Sequence, residues 1–212
     1  MSSSEAVWYF DFVSPYSYFG LLRLGELLRD RSVALQPILF AGLLNHFGHR
    51  GPAEIPSKRL WTYRQCVWIA RARGWPFRIP AAHPFNSLPY LRLAIAAERR
   101  PDAIRRIFDA LWTTGDDPAD PQIVARLARD IGVDVARLSD ADVKDSLRSA
   151  TGQAAARGVF GVPTLAIGDE LFWGSDATDF AAAYLNDPSL LASDEMLRAA
   201  SIPIGASRER KS

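Results

Sequence analysis

Three short motifs in the chain carry side chains that are able to do chemistry together. The first is Ser14-Pro15-Tyr16-Ser17, which directly follows the apolar run Val7–Val13. A hydroxyl at the junction of a buried strand and a helix can donate a hydrogen bond to an anion that the helix N-terminus also stabilises. A thiolate is such an anion. The alternative for Ser14 is a plain N-cap before a proline at the first helical position.

The second motif is Val159-Phe160-Gly161-Val162-Pro163-Thr164, and the third is Trp173-Gly174-Ser175-Asp176. A proline at the start of a strand leaves the backbone groups of the residue before it free, so Val162 can pair with an extended, peptide-like ligand. Ser175 and local N–H groups can hold a carboxylate, and Asp176 can pair with an ammonium. The alternatives are a simple strand start and ordinary helix capping.

The cysteine and histidine content argues against metal and disulfide chemistry. Among 212 residues there is one cysteine, Cys66, which excludes an intrachain disulfide and a cysteine-based zinc site. The three histidines, His46, His49 and His83, lack the i, i+4 spacing of helical metal ligands, so we expect no metal. Serines also occupy both positions at which a Cys-x-x-Cys pair would start the first helix, which excludes dithiol oxidoreduction.

The overall composition is that of an ordinary globular protein, with 48% hydrophobic and 23% charged residues. A net charge of +1 gives no reason to expect nucleic acid or an anionic membrane as a partner. The N-terminus has no basic segment followed by a long apolar run, and no stretch has the length of a membrane span. We therefore expect a cytoplasmic protein with no membrane partner.

The elements that must position these motifs follow from the apolar patterns. Val7–Val13 predicts a strand buried on both faces, the spacing from Tyr18 to Leu28 predicts a helix, and Val33–Phe40 predicts a second, parallel strand. A helical block follows, with candidate helices at Pro56–Arg73, Leu88–Arg99, Asp102–Thr114, Pro121–Ile131 and Asp140–Arg157.

Strand character returns near the end of the chain. Thr164–Ile167 and Glu170–Trp173 predict a hairpin around Gly168-Asp169, followed by a helix over Ser175–Asn186. The order is thus β-α-β, a block of helices, then β-β-α, which predicts an α/β fold with one sheet and a large all-helical insertion. We place the split sheet domain at residues 1–44 and 158–200, the insertion at 45–157, and a disordered tail at 201–212.

In order and spacing, the segments Phe10–Tyr18, Phe160–Thr164 and Trp173–Asp176 closely resemble the 2-hydroxychromene-2-carboxylate isomerases. Those enzymes are grouped with kappa-class glutathione transferases and the DsbA-like fold. The resemblance runs from about Val7 to Asn186. It implies a thioredoxin-like domain with a helical insertion, a cytoplasmic homodimer, and glutathione as a catalytic cofactor.

The resemblance also implies a role for each motif. Ser14 is implied to be the catalytic serine, which stabilises the glutathione thiolate. Val162 is implied to pair through its backbone with the cysteinyl part, and Trp173–Asp176 to hold the γ-glutamyl end. The cofactor-binding set is Ser14, Pro15, Tyr16, Val162, Pro163, Trp173, Gly174, Ser175 and Asp176.

The implied substrates are small aromatic-ring-degradation intermediates, such as the hydroxychromene carboxylate that opens to trans-o-hydroxybenzylidenepyruvate. The isomerases usually carry a lysine after the second strand, where this chain has Leu44 or the neutral Asn45. The side chains that can supply a positive charge in place of the missing lysine are His46, Lys58 and Arg59. The predicted substrate contacts are Asn45, Phe85 and Asn86.

Three functions remain open at this point. The main hypothesis is glutathione-dependent isomerisation, and the missing lysine favours a kappa-like transfer of glutathione to an electrophile as the rival. The third is a non-catalytic thiol- or peptide-binding module. Trp61, Trp68 and Trp75 recur every seven residues, which is more typical of a core or dimer contact than of a ligand site.

Overall fold

A four-stranded mixed sheet lies at the centre of the computed structural model, which describes residues 6–28 and 31–206. The strands are β1 (Ala6–Phe10), β2 (Val33–Pro37), β3 (Thr164–Ile167) and β4 (Glu170–Trp173). Their order in the sheet is β2-β1-β3-β4. Strand β1 is parallel to β2 and antiparallel to β3, and β3 is antiparallel to β4. The predicted parallel pairing of the first two strands and the predicted hairpin of β3 and β4 are therefore confirmed.

Helices make up most of the rest of the described chain. They are α1 (Pro15–Leu27), α2 (Phe40–Phe47), α3 (Pro56–Arg73), α4 (Leu88–Ala96), α5 (Pro101–Trp112), α6 (Pro121–Ile131), α7 (Ala141–Ala156), α8 (Thr178–Asn186) and α9 (Asp194–Ser201). Short 3-10 helices lie at Pro52–Glu54, Val135–Ser139 and Pro188–Ala192. None of the helices in the described ranges is both long and apolar enough to cross a membrane.

Strand β1 is buried on both faces, as its continuous apolar run predicts. On one face Trp8 and Phe10 stack with ring centroids 4.7 Å apart, and the cluster continues through Phe12 to Phe108 of α5, 4.5 Å from it. On the other face Tyr9 packs with α2 and α7 in a second core. The helical block and the sheet thus share one continuous core, because α5 packs directly on β1.

The segment after β2 differs from the prediction. The strand ends at Pro37, not Phe40, and residues 40–47 form α2, a helix that we did not predict. The reason is tertiary, because the backbone N–H at the first turn of α2, that of Phe40, donates to the carboxylate of Asp11 at 2.8 Å. The predicted boundary between residues 44 and 45 falls inside this helix.

The other predicted helices differ only at their ends. Pro56–Arg73 and Pro121–Ile131 have the predicted bounds, and the remaining three of the helical block differ by at most three residues at either end. Helix α8 begins at Thr178, not Ser175, and α9 was not predicted. Of the predicted tail, residues 207–212 lie outside the described residues.

Candidate active site

The sheet topology brings the three motifs to one edge. The first motif follows β1, the second precedes β3 and the third follows β4. Because β3 is antiparallel to β1, with Thr164 opposite Tyr9, the start of β3 lies beside the end of β1. Because β4 is antiparallel to β3, with Trp173 opposite Thr164, the end of β4 lies there too.

Direct contacts join the motifs to one another. The N–H of Gly174 donates to the carbonyl of Pro163 at 2.9 Å, which ties the third motif to the second. Helix α1 crosses Pro163 at Gly20, where an added Cβ would lie 3.2 Å from Pro163 Cγ and 3.3 Å from the Trp8 ring. A glycine is required at this crossing since both neighbours are buried and cannot move away.

This crossing gives a matched pair of variants on one helix. We expect Gly20→Ala to destabilise the fold by about 1–2 kcal/mol, because overpacking against Pro163 and Trp8 outweighs the helix propensity of alanine. We expect Gly25→Ala to stabilise it by about 0.5–1 kcal/mol, because a Cβ at Gly25 meets nothing within 4 Å. Chemical denaturation of both variants measures the difference, and equal effects would contradict the crowding at Gly20.

Ser14 caps α1 with extended backbone angles, φ −92° and ψ 117°. Its Oγ accepts the N–H of Ser17 at 3.3 Å, so the hydroxyl proton is left for another acceptor. Within residues 6–28 and 31–206, that proton has no acceptor, and the N–H of Tyr16 has no partner either. Two adjacent donors at a helix N-terminus form an anion site, and Ser14 is 7% exposed.

The Tyr16 hydroxyl on α1 and the nearby Cys66 thiol are poor candidates for binding an anion or for supplying one. The Tyr16 hydroxyl donates to Gln65 Oε1 at 2.6 Å, and burial, with the nearby Cys66 thiol, raises the pKa of Tyr16 to about 12. Cys66 is fully buried, and burial raises the pKa of its thiol to about 12. Neither group supplies a thiolate or a free donor at neutral pH, which leaves Ser14.

Val162 presents its backbone to the same place. The Val162–Pro163 peptide bond is cis, and neither the N–H nor the C=O of Val162 has a partner among the residues that the structure describes. The exposed rings of Phe160 and Trp173 lie next to it with centroids 5.1 Å apart. A free donor and acceptor on one residue can pair with an extended peptide-like ligand.

The third motif is not a helix cap, contrary to the alternative offered by its sequence. The N-cap of α8 is Ala177, without a side-chain hydrogen bond. Ser175 takes part through its carbonyl only, which accepts the hydroxyl of Thr178 at 3.0 Å. Its own hydroxyl and the exposed carboxylate of Asp176 are thus available to a ligand, and Asp176 is close enough to Tyr16 to raise the pKa of that phenol further.

Asp11 lies under the site as a fully buried carboxylate. It accepts the N–H of Val13 at 3.0 Å and that of Phe40 at 2.8 Å, and the Ser87 hydroxyl also bonds to it. Burial outweighs these bonds and raises the pKa of Asp11 from 3.8 to about 6. Ser87 is the N-cap residue of α4 but makes no side-chain capping bond, and Asn86 Oδ1 accepts the N–H of Leu88 at 3.1 Å.

The predicted substrate contacts are spread out. Phe85 is half-buried between Trp112 and His83, near the loop that precedes Ser14, and Asn86 follows it on the surface. Asn45 lies on the exposed side of α2, and no side-chain contact joins it to the other predicted site residues in the described ranges. Of the compensating groups, Arg59 is near Tyr63 and His83, whereas His46 is exposed on α2.

Two residues that hold the loop before Ser14 were not found from the sequence. His83 Nε2 contacts the Val13 carbonyl at 2.7 Å, and Trp112 Nε1 donates to the Phe12 carbonyl at 2.9 Å. Both come from the helical block, and no local pattern marks either residue because the contacts depend on tertiary packing alone.

The protein has a thioredoxin-like fold, defined by the mixed sheet and by the N-terminus of α1, which lies beside the cis-proline loop before β3. Serines occupy positions 14 and 17, where a Cys-x-x-Cys pair would lie. The chain belongs to the family of the DSBA-like thioredoxin domain, whose model matches residues 6–186.

The chain is also similar to individual proteins over most of its length. The chain is 29% identical over 189 residues to a 2-hydroxychromene-2-carboxylate isomerase of Sphingobium xenophagum, covering 84% of this chain and 96% of that protein. It is 30% identical over 207 residues to glutathione S-transferase kappa 2 of Caenorhabditis elegans, covering 85% and 91%. A solved 2-hydroxychromene-2-carboxylate isomerase matches with a TM-score of 0.76 and 25% identity over 90% of this chain and 98% of that one. The chain is therefore related to these isomerases and to kappa-class transferases.

Proposed function

We propose that this protein is a glutathione-dependent isomerase that converts a hydroxychromene carboxylate, or a similar aromatic-degradation intermediate, to its open-chain form. The observation that carries the proposal is the free hydroxyl of Ser14 at the N-terminus of α1, next to the unpaired backbone of Val162. Relatives named as isomerases over most of the chain support it.

The residues at the sheet edge fit the three parts of glutathione. The Ser14 hydroxyl and the Tyr16 N–H suit the thiolate, and the backbone of Val162 suits the cysteinyl peptide. Ser175 and Asp176 suit the carboxylate and ammonium of the γ-glutamyl end. Pro15, Pro163, Trp173 and Gly174 complete the proposed binding set. When bound, glutathione supplies a thiol whose ionised form is the nucleophile.

The work of Ser14 in this proposal is to favour ionisation of that thiol. An ordinary thiol has a pKa of about 8.5, so only a few per cent is ionised at neutral pH. One charge-assisted hydrogen bond and the helix dipole together favour the anion by about 1.4–2.8 kcal/mol, which lowers the pKa by about one to two units. A serine alkoxide is not needed, and no base is in contact with Ser14 in the described chain to make one.

We propose Phe85 and Asn86 as substrate contacts, with Asn45 as a further contact from α2. A second candidate function is the transfer of glutathione to an electrophile. It is favoured by the neutral side chain of Asn45, which offers no cation to a substrate carboxylate, and by the likeness to a kappa-class transferase.

The deciding experiment supplies purified protein with hydroxychromene carboxylate, with and without glutathione. We expect isomerisation that requires glutathione and does not consume it. Conjugation of chlorodinitrobenzene without isomerisation would replace the isomerase by the transferase. Binding of glutathione with no increase in its ultraviolet thiolate absorbance would instead indicate a non-catalytic binding module.

We also propose a homodimer. Trp61 and Trp68 of α3 are 65% and 68% exposed, and large exposed aromatic side chains on one helix face are typical of protein contacts. Trp75 instead packs on Phe19 with centroids 5.7 Å apart. Sedimentation equilibrium tests the proposal, and a monomer at micromolar concentration would contradict it. The cytoplasmic location stays a prediction from the sequence.

A further inference from the structure

His83 forms hydrogen bonds through both nitrogens of its ring. Nε2 lies 2.7 Å from the carbonyl oxygen of Val13, and Nδ1 lies 2.8 Å from the hydroxyl of Tyr63 on α3. A carbonyl oxygen only accepts, so Nε2 carries the proton. In the neutral ring Nδ1 is then an acceptor for the Tyr63 hydroxyl, which also lies 3.1 Å from the carbonyl oxygen of His83. The contact with the phenol therefore fits the tautomer that the Val13 carbonyl requires.

Aromatic neighbours hold the ring in this orientation. Trp112 and Tyr63 lie edge-on to it with centroids 5.4 and 5.5 Å away, and Phe85 lies 5.9 Å away. Burial lowers the pKa of His83, with a further lowering from the charge of Arg59, so the neutral form that the hydrogen bonds require is favoured.

The target of His83 is the peptide that leads into Ser14. The preceding peptide, between residues 12 and 13, is held by Asp11 Oδ1 on its N–H at 3.0 Å and by Trp112 on its carbonyl. The peptide between residues 13 and 14 is held on both sides as well, because the Ser14 N–H donates to the Asp11 carbonyl at 3.1 Å and the Val13 carbonyl contacts His83. The direction in which the Ser14 hydroxyl points depends on that peptide.

We propose that His83 is a positioning residue for Ser14, acting through the Val13 carbonyl, with Tyr63 holding its tautomer. This inference rests on the proposed function. His83 does not touch the bound thiol. It keeps the Ser14 hydroxyl and the Tyr16 N–H aimed at one point, which is what gives two donors their effect on a developing anion. The helical insertion thereby contributes to the chemistry at the end of β1.

The test uses variants that keep the packing and remove the hydrogen bond. His83→Phe retains an aromatic ring among Trp112 and Phe85, and Tyr63→Phe removes only the hydroxyl, so it is the milder variant if the first folds poorly. His83→Gln keeps an amide donor that can reach the Val13 carbonyl. His49→Phe, at an exposed position just after α2, is the matched control.

The readout is the pKa of bound glutathione, from its ultraviolet thiolate absorbance against pH, with thermal unfolding alongside. We expect His83→Phe to reduce the thiolate fraction at neutral pH about three- to tenfold and Tyr63→Phe to reduce it less. His83→Gln restores part of it, and His49→Phe leaves it unchanged. In the ligand-free protein, NMR of the imidazole nitrogens is expected to show the Nε2–H tautomer.

The outcomes separate this inference from the proposed function. A wild-type thiolate pKa equal to that of free glutathione overturns both. A lowered pKa that is lost in Ser14→Ala but kept in His83→Phe overturns the positioning role alone. A lower unfolding temperature of His83→Phe with an unchanged thiolate pKa does the same, because it shows a purely structural contact.

Discussion

Ser14→Ala is expected to lower kcat/KM for the isomerisation about 8- to 25-fold at neutral pH, through a rise of about one to two units in the pKa of the bound thiol. The variant loses the Ser14 hydroxyl at the N-terminus of α1, whose proton is uncommitted among the described residues. Helix α1 also loses its cap, at a cost of about 1 kcal/mol in stability. The loss of rate recovers as the pH is raised by the same one to two units, because the thiolate then forms without help.

The control for this prediction lies three residues along the same helix. Ser17 is fully buried and its Oγ has no hydrogen-bond partner, so Ser17→Ala removes a hydroxyl without removing a bond. We expect its rate to stay within about threefold of the wild type. Steady-state rates across the pH range, with thermal unfolding to verify folding, check both variants. A loss in Ser14→Ala that is the same at every pH would contradict thiolate stabilisation.

The second large effect concerns stability and comes from Asp11. Its folded-state pKa of about 6 lies above the ordinary 3.8, so the folded protein holds a proton that the unfolded chain releases. The stability that this group contributes is therefore fully present below pH 3.8 and is lost as the pH rises through 6. The loss amounts to about 3 kcal/mol, because the charged carboxylate has no cation beside it.

Asp11→Asn removes this titration. Relative to the wild type, we expect the variant to gain about 2–3 kcal/mol in the free energy of unfolding between about pH 4 and pH 7. The variant also loses about 1 kcal/mol in the free energy of unfolding at every pH, because its amide nitrogen cannot accept a hydrogen bond from one of the two N–H groups, those of Val13 and Phe40. Denaturant titrations at several pH values measure the difference.

An exposed carboxylate provides the comparison for this titration. Asp169→Asn, at the exposed turn between β3 and β4, is measured alongside at the same pH values. If the difference between wild type and Asp11→Asn stayed constant with pH, the buried carboxyl would not titrate between its two states as proposed.

Much of the fold is determined by local patterns in the sequence. The apolar run before Ser14 specifies a strand buried on both faces, and the turn residues before Glu170 specify the hairpin. The meeting of Ser14, Val162 and Trp173 depends in addition on the antiparallel pairing of β3 with β1, which the structure shows. Serines at positions 14 and 17 by themselves exclude dithiol chemistry.

Other features of the fold and of the site depend on tertiary contacts, which no local sequence pattern indicates. Residues 40–47 become a helix because Asp11, 29 positions earlier, accepts the N–H of Phe40. Ser175 does not cap a helix, because α8 starts at Thr178 with Ala177 as its N-cap. The Ser175 hydroxyl is therefore available to a ligand. The loop before Ser14 is held by His83 from 70 positions away. Local spacing predicts which side chains share a strand or a helix, but hydrogen bonds between distant segments form only where packing brings the segments together. The bond from His83 to the Val13 carbonyl, through which we propose that Ser14 is oriented, is of this kind.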